Sequence, residues 1–282
     1  MFMRILGRVA IGLAGIVLFV PAVLYGASEW ALRQGHDVPL ATIKVPHDAA
    51  AIEEGGRLAR ITGCRGCHGA DGGGHVLVDD PMLGRLAPPA LARVAARDSD
   101  AELDRTIQHG VNKAGNTLFV MPTRAHRFLA DEDRARIIAW IRSLKPRQDD
   151  VVATTSYGPV GRALILAGKL PPSADPVTVS PATRPADVGR YFVNVSCAAC
   201  HKLYEPQPTE DGKQVAPALA PIAAAYDPVA FRTLLRTGVG MSGRDLGLMK
   251  NVARGDLHVL TDSEIVAIQA YLTGEAARMP PE

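Results

Sequence analysis

Cysteine is scarce in this sequence, and so are aromatic residues and unbalanced charge. The 282 residues include four Cys, six Phe, six Tyr and two Trp, and the formal net charge is +2. Because there is no run of Lys or Arg, neither a nucleic-acid-binding face nor a polybasic tail is expected. Stretches that alternate apolar and polar residues over a useful length are also missing, which favours an all-α fold.

One long apolar run is present near the N-terminus. Val9–Ser28 contains no charged residue and follows Arg4 and Arg8. About 20 residues in a helix extend about 30 Å, enough to cross the hydrocarbon core of a bilayer. A cleaved signal peptide is the alternative, but its apolar core is usually shorter, and Tyr25 fits a small-residue cleavage site poorly. We expect a transmembrane anchor over 1–29, with the rest of the chain on the periplasmic side of a bacterial inner membrane.

The remaining chain divides by composition into two compact segments. We expect a tether over 30–48, a first domain over 49–146, a linker over 147–183, a second domain over 184–274 and a tail over 275–282. Proline and small polar residues mark the linker, which is predicted to contain one helical turn near Arg162–Leu166. Domains of this size bury a modest core, so an additional group at the centre of each would help stability.

The two compact segments are copies of each other. GRLARITGCRGCH at 56–68 aligns without a gap with GRYFVNVSCAACH at 189–201. LADEDRARIIAWI at 129–141 corresponds to LTDSEIVAIQAYL at 260–272. Each copy is therefore predicted to begin with a short helix ahead of its cysteines and to end with a longer amphipathic helix.

Capping residues and apolar faces define the two closing helices. Asp131 is the expected N-cap of the first, and Thr261 with Glu264 has the spacing of a capping box in the second. One face of each helix is apolar, formed by Ile137, Ile141 and Leu144 in the first and by Ile265, Ile268 and Leu272 in the second. The sequence predicts two tandem all-α domains after an N-terminal transmembrane helix.

All four cysteines lie in two Cys-x-x-Cys-His motifs. The motif residues are Cys64, Cys67 and His68 in the first copy and Cys197, Cys200 and His201 in the second. This pattern is the attachment signature of c-type haem, in which both thiols bond the macrocycle and the histidine binds the iron. Three alternatives fit less well. A zinc site would need four ligands, and a redox dithiol would lie next to a βαβ pattern. A structural disulfide rarely joins cysteines that are separated by only two residues. We expect two covalently attached haem c groups.

The sixth iron ligand is expected to be a methionine in each domain. Met121 lies in a proline-containing loop before the first closing helix, whereas Met82 follows His68 too closely. In the second domain Met249 matches that position better than Met241, which stays open as an alternative. The remaining histidines, His36, His47, His75, His109, His126 and His258, are expected to be solvated, and His109 and His126 flank the Met121 loop as replacement ligands.

These motifs resemble the class I cytochrome c family in a fused dihaem form, over roughly 50–146 and 184–274. The resemblance implies that Gly56 packs on Trp140 and Gly189 on Tyr271 where the terminal helices cross. It also implies that Pro89 and Pro217 offer their carbonyl groups to the axial histidines. Met121-Pro122 is similar to the family's ligand pair, whereas Met249 is followed by Lys250 and departs from it.

The resemblance extends to the cytochrome c subunits of membrane-bound periplasmic dehydrogenases, although those subunits often carry three haems. It implies a non-enzymatic relay of single electrons between a dehydrogenase or quinol-oxidising complex and an acceptor such as a terminal oxidase or soluble cytochrome. Two alternatives stay open, a dihaem peroxidase-like enzyme with one open iron site and an adaptor that uses haem only as a structural staple.

Overall fold

A computed structural model describes residues 2–151, 155–177, 180–209, 214–243 and 245–280, and it is mostly helical. The helices are α1 (Phe2–Leu32), α2 (Ala49–Ile61), α3 (Cys64–His68), α4 (Leu91–Arg97), α5 (Asp100–His109), α6 (Thr123–His126), α7 (Asp131–Ser143), α8 (Pro159–Leu166), α9 (Val188–Val195), α10 (Leu219–Ala224), α11 (Pro228–Thr237), α12 (Leu248–Gly255) and α13 (Asp262–Ala276). Short 3₁₀ helices cover Cys197–Ala199 and Leu257–Val259.

Short strands accompany the helices. β1 (Val78–Asp80), β2 (Gly84–Leu86) and β3 (Ser156–Tyr157) form an antiparallel sheet in that order, and β4 (Gln207–Pro208) pairs with β5 (Val215–Ala216). Val78 is opposite Leu86, and Gly84 is opposite Tyr157. Strands of two or three residues are too short to produce a period-two pattern, so the sequence did not predict them.

The N-terminal helix α1 is continuous over Phe2–Leu32 and contains Pro21. Its segment Gly15–Leu32 is long and apolar enough to cross a membrane, judged by length and composition. The residues from Gly15 to Val23 are exposed. The helix continues past residue 29, the predicted end of the anchor, because no Gly or Pro interrupts it there.

The first helical unit is built on the packing of α2 against α7. α2 begins where the Asp48 carboxylate accepts a hydrogen bond from the Ala51 amide at 2.9 Å, which satisfies one of the orphan donors of the first turn. The two helices approach closely because α2 contributes two adjacent glycines. A Cβ at Gly55 would overlap the Arg136 carbonyl oxygen, and one at Gly56 would lie 2.9 Å from the Trp140 ring.

The second helical unit repeats this crossing with α9 and α13. A Cβ at Gly189 would overlap the Ala267 carbonyl oxygen and lie 2.9 Å from Tyr271 Cβ. The predicted capping box of α13 is confirmed, because the Glu264 amide donates to Thr261 Oγ1 and the Thr261 amide donates to the Glu264 carboxylate. Glycine thus allows close packing against the same aromatic position in both units.

The apolar residues of both units form one buried cluster. This cluster contains residues of α2 and α7 from the first unit and of α9 and α13 from the second: Leu58, Ile61, Ile137, Ile138, Ile141, Tyr191, Phe192, Val195, Ile265, Ile268 and Leu272. Burial of one such side chain contributes about 1.5–3 kcal/mol, so the cluster holds the units together as well as folding each of them.

Two local predictions were wrong. Helix α7 begins after Ala130, and Asp131 is its first residue rather than its N-cap. The Asp131 carboxylate instead accepts hydrogen bonds from Arg134 at 2.9 Å and from Ser180 at 2.7 Å. The single turn predicted in the linker is the two-turn helix α8, which begins at Pro159 and packs against α1. Of the predicted linker and tail, residues 152–154, 178–179 and 281–282 lie outside the described residues.

An ion-pair network joins the two units. The Arg57 guanidinium of α2 donates two hydrogen bonds, each 2.8 Å long, to the two carboxylate oxygens of Glu264 in α13. Arg184 donates two, each 2.9 Å, to buried Asp133 of α7, and the Tyr191 hydroxyl of α9 donates to the same carboxylate at 2.6 Å. Bidentate arginine–carboxylate pairs fix geometry as well as adding energy, so they fix how the units are oriented.

The close helix crossing predicts that Gly189→Ala will destabilise the protein. The added methyl group would overlap the α13 backbone, and overpacking of this kind costs about 1–3 kcal/mol. Denaturant unfolding of the purified protein measures the difference. Gly274→Ala is the matched control, because Gly274 lies in α13 with no heavy atom within 4 Å of an added Cβ. That variant should gain about 0.5–1 kcal/mol. Equal effects at both positions would contradict the packing described.

The interface also predicts a loss of stability at acid pH. Burial alone would raise the pKa of Glu264, but the hydrogen bonds and charge of Arg57 outweigh burial and lower this pKa below its ordinary value of 4.5. A carboxylate with a depressed pKa stabilises the fold above its unfolded pKa, and this contribution is lost as pH falls through the folded value. The midpoint temperature of thermal unfolding should therefore decrease when the pH is lowered below about 4.5. The decrease should be smaller in an Arg57→Met/Glu264→Gln variant.

The control for this pH profile is Glu205→Gln, which removes an exposed pair with Lys202. Exposed pairs contribute about 0–1 kcal/mol, so the profile of the control should match that of the parent protein. An unchanged profile in the Arg57→Met/Glu264→Gln variant would show that the interface pair does not contribute to acid stability.

Candidate functional site

The first motif occupies α3, the short helix that directly follows α2. Gly63 connects the two helices with φ at 78°, a left-handed conformation that favours glycine. In α3, Cys64 and Cys67 are both half-buried and lie one turn apart. Burial raises the pKa of Cys64 to about 11, although a contact with Thr62 opposes the shift. Cys64 therefore lies in an apolar setting and packs against the hydrophobic cluster.

A backbone carbonyl orients the first motif histidine. His68 Nδ1 lies 2.8 Å from the carbonyl oxygen of Pro89. A carbonyl only accepts, so Nδ1 carries the proton and Nε2 retains its lone pair. Burial lowers the pKa of His68, although this hydrogen bond opposes the shift. The imidazole is thus neutral at pH 7 and has one nitrogen available for a metal.

The second motif repeats this arrangement. Cys197 begins a 3₁₀ turn, and His201 Nδ1 lies 2.8 Å from the carbonyl oxygen of Pro217. Burial raises the pKa of Cys197 to about 12. Although the turn is 3₁₀ here and α-helical in the first motif, the histidine–proline distance is the same in both units.

The residues of both motifs fit a covalently bound haem c. A haem in the first unit would be bonded through Cys64 and Cys67, with His68 Nε2 on its iron. Cys64 and Cys197 pack against the hydrophobic cluster, whereas Cys200 is exposed. The fixed tautomer would provide the nitrogen for the iron. The corresponding residues of the second unit are Cys197, Cys200 and His201.

Burial separates the candidate methionines. Met121 and Met249 are half-buried and pack against the hydrophobic cluster. By contrast, Met241 is 55% exposed and Met82 is 54% exposed. Met121 thus differs from Met82 in the first unit, and Met249 from Met241 in the second, in being partly covered by the protein. Lys250, which replaces the expected proline, directs its ammonium group to Asp245 at 2.8 Å.

Two histidines predicted to be solvated are buried. His109 Nδ1 donates to the Asp175 carbonyl at 2.7 Å, so the linker covers this side chain. His126 donates from Nε2 to the Thr62 carbonyl at 3.1 Å. Burial lowers the pKa of His126, so the ring is neutral at pH 7. Of the others, His47 and His75 are exposed, while His36 and His258 are half-buried.

The two motifs meet at the interface between the units, which the sequence did not predict. Ser196, next to Cys197, donates a hydrogen bond to the Ile61 carbonyl at 2.8 Å. Arg60 of α2 donates to the Gly255 carbonyl of the second unit at 2.7 Å. These residues are far apart in sequence, and the internal repeat carries no signal for how its two copies pack together.

Comparisons with known proteins agree with this geometry. A family model described as cytochrome c matches residues 52–145, the segment that contains most of α2, the first motif, Pro89, Met121 and all of α7. Two curated relatives are each described as alcohol dehydrogenase (quinone), cytochrome c subunit, one from Gluconacetobacter polyoxogenes and one from Komagataeibacter europaeus. Each is 29% identical over 198 residues, which covers 64% of this chain and 41% of the relative.

The chain thus spans about two fifths of the length of the curated relatives it matches. The family match ends before α8 and does not include the second motif. Residues 52–145 therefore match the cytochrome c family model.

Proposed function

We propose that the chain is a membrane-anchored dihaem cytochrome that relays single electrons and catalyses no bond-making reaction. The observation that carries this proposal is the repeated histidine geometry, with His68 held by Pro89 and His201 held by Pro217 at the same 2.8 Å. Two such sites in one chain support two haem c groups. When bound, haem supplies a reversible ferric–ferrous couple.

In the proposed sites a histidine and a methionine would together hold each haem iron. His68 and Met121 would bind it in the first unit, and His201 and Met249 in the second. A soft thioether ligand favours ferrous iron and leaves no open position for a substrate. The half-buried methionines of both units support the relay over the peroxidase-like alternative, which needs one open iron site.

The contact between the motifs supports transfer within the chain. Ser196 is adjacent to Cys197, and Ile61 precedes Cys64 by less than one helical turn. Consecutive Cα atoms are 3.8 Å apart, so the hydrogen bond between Ser196 and Ile61 places Cys64 and Cys197 within about 20 Å of each other. The Arg57–Glu264 pair would keep that separation fixed, so no domain movement is needed between electron transfers.

The anchor and the relatives support the proposed location and partners. α1 follows the positive-inside pattern, because Arg4 and Arg8 precede its apolar segment, so both motifs would face the periplasm. The similarity to dehydrogenase cytochrome c subunits supports a membrane-bound quinone-dependent dehydrogenase as the electron donor. Tethering both proteins to one membrane would raise their effective concentration.

The proposed ligands predict separate effects on two reduction potentials. Met121→Ala should lower one potential by on the order of 0.1 V and leave the other nearly unchanged, because loss of a thioether destabilises ferrous iron. Met249→Ala should lower the other potential. Potentiometric titration followed by absorbance measures both, and each variant should also acquire a high-spin signal from the haem that lost its ligand.

Met241→Ala is the matched control, because Met241 lies near Met249 in sequence but is exposed. It should leave both potentials unchanged. A drop in the second potential for Met241→Ala, with none for Met249→Ala, would contradict the assignment. High-spin haem in the unmodified protein would instead support the peroxidase-like alternative.

A further inference from the structure

Helix α8 has an apolar face that the protein does not cover. Gly161 and Ile165 point inward and are buried. On the opposite side, Val160, Ala163, Leu164, Leu166 and the adjacent Ala167 are all exposed. Arg162 is the sole charged residue of α8. A helix that is apolar on both faces is unusual in water and typical of a helix that packs on protein with one face and on lipid with the other.

α8 binds the C-terminal end of α1 through Arg162. The Arg162 guanidinium donates to Ser28 Oγ at 2.8 Å and to the Glu29 carboxylate at 3.1 Å. It also lies 4.6 Å from the centroid of the Tyr25 ring. The charge of Arg162 is therefore satisfied by α1, and the position of α8 follows that of residues 25–29.

The length of α1 sets the depth of this contact. With Arg8 at the cytoplasmic boundary, about 20 residues are needed to cross the hydrocarbon core. The periplasmic boundary then falls near Ser28 and Glu29, the residues that bind Arg162. Tyr25 and Trp30, which are 43% and 70% exposed, are the aromatic residues that commonly lie at such a boundary.

A neighbouring turn extends the apolar face. The Val160 amide donates to the Met82 carbonyl at 2.9 Å, and the Gly158 amide donates to the Leu83 carbonyl at 3.1 Å. Both Met82 and Leu83 are exposed. We define the α8 patch as Met82, Leu83, Val160, Leu164 and Leu166. Lys169 follows α8, is exposed, and has the length to reach lipid phosphate groups.

We infer that the α8 patch is seated in the periplasmic headgroup region of the bilayer, with its apolar side chains inserted toward the acyl chains. Continuity with α1 identifies lipid as the occupant, because the salt bridge to Glu29 holds the patch at the depth where the anchor leaves the hydrocarbon core. This inference rests on the proposed membrane anchor. It gives α8 a function that a flexible tether lacks, which is to hold the first unit in one orientation to the membrane.

Thiol protection in lipid nanodiscs tests the inference. Leu166→Cys reports on the α8 patch, Val266→Cys is the matched control, and Val17→Cys reports on the anchor. Leu166 and Val266 are 45% and 56% exposed, and Val266 lies on α13 of the second unit. The purified holoprotein, in which the proposed haem bonds occupy the four native cysteines, is placed in phospholipid nanodiscs that contain no protein other than their scaffold. A charged maleimide is added, and each rate is divided by that of the same variant unfolded in guanidinium chloride.

We expect Leu166→Cys and Val17→Cys to react at least about tenfold more slowly than Val266→Cys, because a charged reagent does not enter the apolar region of the bilayer. A Leu166→Cys rate within about twofold of the control, with Val17→Cys still protected, would overturn the inference and leave the anchor in place. Fast reaction at Val17→Cys would overturn the anchor itself. Protection of Leu166→Cys that requires native membranes and is absent from pure lipid would overturn the lipid assignment in favour of a protein partner.

Discussion

The hydrogen bond between each motif histidine and a proline carbonyl is the interaction on which the site depends. It places the proton on Nδ1 of His68 and of His201, so the other nitrogen of each ring has a lone pair available to iron. Without that bond the ring could rotate or adopt the other tautomer, and the adjacent thiols would hold a haem with no defined proximal ligand. The fold positions Pro89 and Pro217 for this purpose immediately before α4 and α10.

The second constraint is the joint between the two units. A shared apolar cluster supplies most of the attraction, and the buried ends of the Arg57–Glu264 and Arg184–Asp133 pairs define one relative orientation. Buried pairs of this kind are weak evidence for stability but restrict geometry strongly. We therefore regard the joint as the feature that makes two similar units into one proposed relay, since it fixes the contact between Ser196 and Ile61.

The structural features that could be predicted from the sequence are those that depend on residues close together in the chain. The helical fold and the α13 capping box follow from short patterns, whereas the glycine crossings were implied by the family resemblance, and all three appear in the structure. Burial of His126, the start of α7 and the docking of α8 on α1 depend on residues far apart in the chain, so no local pattern predicts them. The domain boundaries and the iron ligands stay predictions, because haem attachment requires a chemical test rather than a pattern.

The intact mass of the purified, denatured protein reports directly on haem attachment. Covalent haem survives denaturation, so we expect a mass equal to the mature chain plus two haem groups, and one haem group fewer in a Cys197→Ser/Cys200→Ser variant. A chain that carries a single haem, or a second motif that stays unmodified in a protein matured with active haem attachment, would contradict the account.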